Sequence, residues 1–193
     1  METIIEDGYI PEEEEQKHLE ADIVILQMPV NWFGAPWIYK KYVDEVFNCG
    51  LLSKSFLADD GRSNDDLTKQ YGTGGTLQGK KFMICATWNA PAEAFDNPGQ
   101  SLMQGKSTAD LFLNITSNYR FCGYEIMDGY NCFDIFRGSD IAKDLSNYPS
   151  NLKEVFKLKT ILPQCRNTRT ASTSIQEIID VTRCTWPEGS VTF

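Results

Sequence analysis

Val24-Ile25-Leu26-Gln27-Met28-Pro29-Val30-Asn31-Trp32-Phe33-Gly34-Ala35-Pro36-Trp37 decides the fold of this 193-residue chain. An apolar run, Ile23 to Leu26, passes into an aromatic loop, Pro29 to Phe33, and then into a helix start at Gly34-Ala35-Pro36. A run that is continuous rather than alternating reads as a strand buried in a parallel sheet, here Ala21 to Met28. Ligands of such sheets bind outside the carboxyl ends of the strands. Trp32 and Phe33 offer rigid apolar faces to a flat ligand at that edge. Nearby backbone N–H groups can meet its polar rim.

Outward from that stretch the same logic repeats. Pro36 opens a helix on which Ile38, Tyr42 and Val46 share a face, flanked by Tyr39, Val43 and Phe47. Lys40, Lys41, Asp44 and Glu45 fall on the opposite side. A second apolar strand, Phe82 to Thr87, ends in another aromatic loop, Trp88-Asn89-Ala90-Pro91. Upstream, Pro11 suits the first position of a helix over residues 11–20, with Glu12 to Glu15 as its solvated first turn. Downstream, Ser107-Thr108-Ala109-Asp110 resembles a capping box, and Phe112, Ile115 and Tyr119 line the helix behind it. Residues 121–135 contain the last strand, and Tyr148-Pro149 starts a final helix through Leu158. This alternation predicts an α/β fold: a parallel sheet with helices on both faces.

Two segments stand apart. Residues 51–79 are rich in turn formers and poor in core formers, which predicts a long irregular insertion, functional or mobile. Residues 159–193 are dominated by Thr, Ser, Arg and Pro. They read as a tail, poorly ordered or docked on the surface, with Ile175 to Val181 as a turn or two of helix.

Composition excludes several classes of partner. The net charge is −9, and residues 1–22 carry nine acids against Lys17. No basic stripe is left to hold nucleic acid. No stretch of 18 apolar residues exists to span a membrane, and the acidic amino terminus lacks the layout of a signal peptide. Cys49, Cys85, Cys122, Cys132, Cys165 and Cys184 show no C-x-x-C spacing, and His18 is the single histidine. Free thiols in a reducing cytoplasm, with no zinc site, are the expectation.

Three blocks in order resemble the flavodoxin-like NAD(P)H:quinone oxidoreductases of the modulator of drug activity B family and, more distantly, DT-diaphorase. The first is Gln27 to Trp37 with Lys40-Lys41-Tyr42; the second is Tyr71-Gly72-Thr73-Gly74-Gly75. The third runs from Gln78-Gly79-Lys80-Lys81 to Thr87-Trp88-Asn89-Ala90-Pro91 with Glu93-Ala94-Phe95. The resemblance covers Ile5 to Leu158, which it implies is one three-layer flavodoxin-like domain, residues 1–158. It also implies FAD at the carboxyl edge of the sheet (FMN being the lesser choice), NAD(P)H as reductant, a quinone substrate and a homodimer whose second subunit completes the site. By position, Pro29, Val30, Asn31, Trp32 and Phe33 would flank the isoalloxazine. Thr87, Trp88, Asn89 and Ala90 would supply backbone contacts to its pyrimidine end, with Glu93 and Phe95 nearby. Tyr71, hinged on Gly72, would close over the substrate face. The bends bearing Trp32 and Trp88 are expected to form one slot for the ring.

The resemblance starts late. A flavodoxin-like sheet has strand order 2-1-3-4-5, and no segment before Ala21 reads as an apolar strand followed by a phosphate-binding loop. The expectation is an amino-terminally truncated domain. The alternative is then a non-catalytic relative that binds flavin weakly or only pairs with a complete subunit.

Overall fold

A computed structural model of the chain describes residues 9–138, 140–157 and 179–180. Among these described residues, five strands form one parallel sheet: β1 (Ile23–Pro29), β2 (Lys81–Thr87), β3 (Glu125–Ile126), β4 (Tyr130–Cys132) and β5 (Ile179–Asp180). The order is β3-β2-β1-β5, with β4 also paired to β2. The predicted strands appear in place, buried on both faces as their unbroken apolar runs require.

Helices cover both faces. The larger core lies under α1 (Pro11–Glu20), α2 (Trp37–Tyr42), a π-helical turn (Val43–Phe47), α3 (Asn48–Leu52), α4 (Thr108–Leu111) and α5 (Leu113–Cys122). The smaller core, built on Ile25, Met83, Cys85 and Phe156, is closed by α6 (Ile141–Val155). The capping box at Ser107 and Asp110 forms as predicted.

Four expectations need correction. The last helix does not begin at Pro149: Asp140 caps it by accepting from the Lys143 N–H (3.0 Å), and Pro149 lies inside it. The apolar spacing of Tyr148, Leu152 and Val155, all packed on the smaller core, outweighs the one backbone bond that proline removes. The acidic turn of α1 is solvated only at Glu12 and Glu13. Glu14 and Glu15 are buried, and Glu15 accepts from Ser53 (2.7 Å), Ser55 (2.6 Å) and the Cys49 thiol (2.8 Å). The insertion 51–79 does hold core formers, since Phe56, Leu57 and Leu77 are all buried in the larger core. In the carboxyl-terminal stretch, Ile179–Asp180 form a strand rather than a helix, with Val24 opposite Ile179 and Ile25 opposite Asp180. The remaining tail lies outside the described residues.

His18 is fully buried between Tyr124 Oη (2.9 Å from Nδ1) and Tyr42 Oη (3.1 Å from Nε2). Tyr42 gives its own proton to Glu14 (3.2 Å). Each proton is then used once if Nε2 donates to Tyr42 and Nδ1 accepts from Tyr124, which fixes a neutral tautomer. Across the sheet, the register changes between the two short strands beside β2. β3 pairs Phe82 with Ile126, whereas β4 pairs Cys85 with Tyr130, so one extra residue is inserted across 127–129. That is a β-bulge.

Candidate functional site

The carboxyl ends of β1, β2 and β4 lie side by side, because Pro29 pairs with Thr87 and Thr87 with Cys132. Backbone bonds tie the departing loops together. Val30 N–H donates to Thr87 O (3.0 Å), and Trp88 N–H donates to Cys132 O (2.8 Å).

The first loop is a tight reversal. Asn31 and Gly34 exchange backbone hydrogen bonds of 2.9 and 3.0 Å around Trp32 and Phe33. These two residues have φ of +50° and +65°. A reversal with both central residues at positive φ ordinarily carries Asn-Gly. For an L-residue with a large side chain, each such backbone costs about 1–2 kcal/mol. Burial does not offset that cost at Trp32, which is 96% exposed, the most of any described large apolar side chain. Phe33 is 45% exposed, and Pro29 and Asn31 are open beside it. Strain that internal packing leaves uncompensated marks a surface kept for something outside the chain.

The second loop differs from its expected form. Trp88 is 2% exposed, packed between Phe95 (4.8 Å between ring centroids) and Phe112 (5.1 Å). No slot between two indoles exists. The reason is strand parity: Phe82, Ile84, Ala86 and Trp88 alternate onto the face of the larger core. Phe95 is buried with it. What this loop presents outward is backbone, together with exposed Glu93 on a short 3-10 turn (Ala92–Ala94). The N–H groups of Asn89 and Ala90 donate to no partner among the described residues. A planar ring with an apolar face and a polar rim fits this pair of loops: aromatic side chains from one, backbone donors from the other.

A third loop, missed in the sequence, completes the edge. Ile135 N–H donates to Trp88 O (3.1 Å) and Asp134 N–H to Ala90 O (3.0 Å), clamping the second loop from β4. Asn131 on β4 accepts from the Trp88 indole N–H at 2.8 Å. The available signal was the pair Phe133 and Phe136, with Ile135 between them, at the end of the region predicted to hold the last strand.

Tyr71 does not join this edge. Its ring lies on Phe121 (5.1 Å) near the end of α5, and the loop it leads is pinned there by Leu77 N–H to Cys122 O (2.9 Å). Lys80, two residues on from Gln78, reaches Leu19 O and Ala21 O, just before β1 begins. Tyr71 therefore stands at the amino end of the sheet, a strand length (about 20 Å) from the Trp32 turn. Gly72 comes next in the chain, its N–H held by Asp60 O at 2.8 Å. With Val43, Phe47, Leu51, Leu57 and Phe121, Tyr71 lines an open groove of about 390 Å³.

Two of the described cysteines, Cys85 and Cys122, are buried. Burial pushes the Cys85 thiol up to about 11 and that of Cys122 to about 12. Both are core packing. Among the described residues, no helix is long and apolar enough to cross a membrane.

Known proteins resemble this chain in sequence and in fold. A family model described as a flavodoxin-like fold matches residues 6–155. The chain is 39% identical over 155 residues to an NADPH:quinone oxidoreductase, MdaB, of Haemophilus influenzae, covering 80% of this chain and 79% of that one. A solved putative quinone reductase from Klebsiella pneumoniae superposes with a TM-score of 0.56 at 23% identity, covering 75% of this chain and 55% of that one. A general stress protein from Treponema denticola, solved in complex with FMN, gives a TM-score of 0.54 at 18% identity over 79% of this chain and 76% of that one. These two structures agree with this one in fold.

Proposed function

The chain belongs to the flavodoxin-like family, and on that footing we propose that it reduces quinones by two electrons at the expense of NAD(P)H, using a bound flavin. The observation that carries this reading is the Trp32–Phe33 turn, where two aromatic rings are exposed on a strained backbone at the carboxyl edge of a parallel sheet. The 39% identity to a quinone oxidoreductase supports it independently.

FAD is the flavin proposed. Pro29, Val30, Asn31, Trp32 and Phe33 hold one face of its ring. The N–H groups of Asn89 and Ala90 meet the pyrimidine end, beside Thr87, Trp88 and Glu93. A bound flavin would supply the hydride chemistry between nicotinamide and quinone. The chain fixes the ring plane, and its backbone donors face the rim where negative charge gathers on reduction. Leaving the second face of the ring open lets nicotinamide and quinone use it in turn.

The working unit in this reading is a homodimer. Tyr71 and the Trp32 turn lie at opposite ends of one sheet, so Tyr71 serves a substrate face only across a contact between two copies. Trp37 on α2, Leu51 and Leu52 on α3 and Tyr71 in the loop beside α3 are exposed, which suits such a contact.

The test is direct. Purified protein is titrated with FAD and with FMN and then assayed for NADPH oxidation with menadione. Yellow protein with menadione-dependent turnover is expected, with tighter uptake of FAD. Colourless protein that takes up neither flavin would overturn the reading.

A further inference from the structure

We propose that Asn131 is the positioning residue for the flavin-facing backbone of residues 87–90, brought to that task by the bulge at 127–129. The inference deepens the reading above and rests on it.

The bulge decides which side chain arrives. If the β3 register continued, Tyr130 would stand opposite Ala86. The extra residue instead places Asn131 opposite Ala86 and turns Tyr130 onto the other face, opposite Cys85. Ala86 shares its sheet face with Trp88, so Asn131 comes up on the indole's side. Bulges beside active sites characteristically re-aim a side chain in this way. Gly129 makes it possible, because a Cβ there would lie 3.0 Å from Ile84 O.

Once there, the amide works in two directions. Its oxygen accepts from Trp88 Nε1–H at 2.8 Å, and its nitrogen donates to Thr108 Oγ1 at 3.3 Å in the first turn of α4. The Trp88 backbone is held at the same time, N–H to Cys132 O and carbonyl to Ile135 N–H. Residue 88 is thus fixed at side chain and backbone from one neighbouring strand and its loop. The next two residues carry the N–H groups that meet no partner among the described residues. Their direction is set by Trp88, and the direction of Trp88 is set by Asn131. A tyrosine at this register offers no amide to bridge Trp88 and Thr108, which explains why the bulge matters to the site and not only to the sheet.

The experiment compares wild type, Asn131→Leu and Asn131→Asp. Asp keeps an acceptor for the indole and can take the Thr108 hydroxyl proton; Leu keeps the volume and does neither. Three quantities are read: FAD affinity by fluorescence quenching, hydrogen exchange in flavin-free protein of the bonded Trp88, Asp134 and Ile135 amides that hold the loop, and apoprotein Tm. Asn131→Leu is expected to weaken FAD about tenfold, the scale of one lost hydrogen bond. It should also speed exchange at the Trp88, Asp134 and Ile135 amides, with Asn131→Asp returning affinity and exchange toward wild type. A purely structural role would lower Tm alone, and that result overturns the proposal. Equal FAD affinity and exchange in wild type and Asn131→Leu overturns it too. Failure of wild type to bind any flavin overturns the reading of the edge itself, and the two failures are told apart by the wild-type titration.

Discussion

Trp32→Asn should make the protein more stable and less able to hold its cofactor. At φ +50° the backbone of residue 32 disfavours a tryptophan and suits an asparagine, whose short polar side chain tolerates that region. Relief of this strain is worth about 1 kcal/mol. Almost nothing is lost in exchange, since the indole is 96% exposed. For a chain of this length, 1 kcal/mol raises Tm by about 2–4 °C. The flavin side of the comparison runs the other way. Removing an indole that covers about 100 Å² of ring face forfeits about 2.5 kcal/mol at about 25 cal/mol per Å². That corresponds to FAD binding weaker on the order of 50-fold. Differential scanning fluorimetry on flavin-free protein and an FAD titration measure the two effects separately. A fall in apoprotein Tm would show that Trp32 serves the fold, and unchanged FAD affinity would show that it does not serve the flavin. Either result refutes the argument from strain.

Three further outcomes are expected. Burial, reinforced by the Lys80 ammonium, holds His18 near a pKa of about 4 against an ordinary 6.5. The unfolded chain therefore binds the extra proton first, so stability falls as pH drops from about 6.5 to about 4, by up to about 3 kcal/mol. Denaturant titrations across that range should show a slope that His18→Gln lacks; parallel curves would refute it. Gly75→Ala should cost about 3 kcal/mol, because the new Cβ would lie 2.2 Å from the Cys122 carbonyl carbon, which is backbone and cannot yield; an unaltered Tm excludes that clash. Ser107→Ala should cost about 1 kcal/mol by removing the cap that accepts the Asp110 N–H at 3.0 Å, as read from the urea midpoint.

Much of the fold was legible because burial writes itself as unbroken apolar runs. Val24 to Met28 and Phe82 to Thr87 declared two central strands, and Ser107-x-x-Asp110 declared a helix start. The turn at Trp32 and Phe33 was legible as an aromatic loop, yet its positive φ angles were not, since only the closing bonds between Asn31 and Gly34 reveal them. Trp88 was misplaced for a different reason. Counting by twos from Phe82 puts it on the core face, but the turn formers Asn89-Ala90-Pro91 directly after it mark a loop, where parity no longer applies. Tyr71 carried no sign of its place, because the irregular residues 53–80 precede β2 and nothing local says at which end of the sheet they lie. His18 carried no signal either; its burial depends on Tyr42 and Tyr124, the latter far along the chain. Asn131 depends on a one-residue change of register, which periodicity in a three-residue strand is too short to display.

The placement of β5 has a consequence for how the protein is made. β1 is an inner strand, yet its partner on one side arrives from residues 179–180. During synthesis the backbone edge of β1 at Val24 and Ile25 must wait for this partner while more than a hundred further residues leave the ribosome. Contacts between such distant points close slowly, and an open apolar strand invites pairing with other nascent chains in the interval. Slow translation near the end of the message, or a shortage of chaperones, should therefore reduce the yield of folded protein more than any change to the finished molecule would suggest.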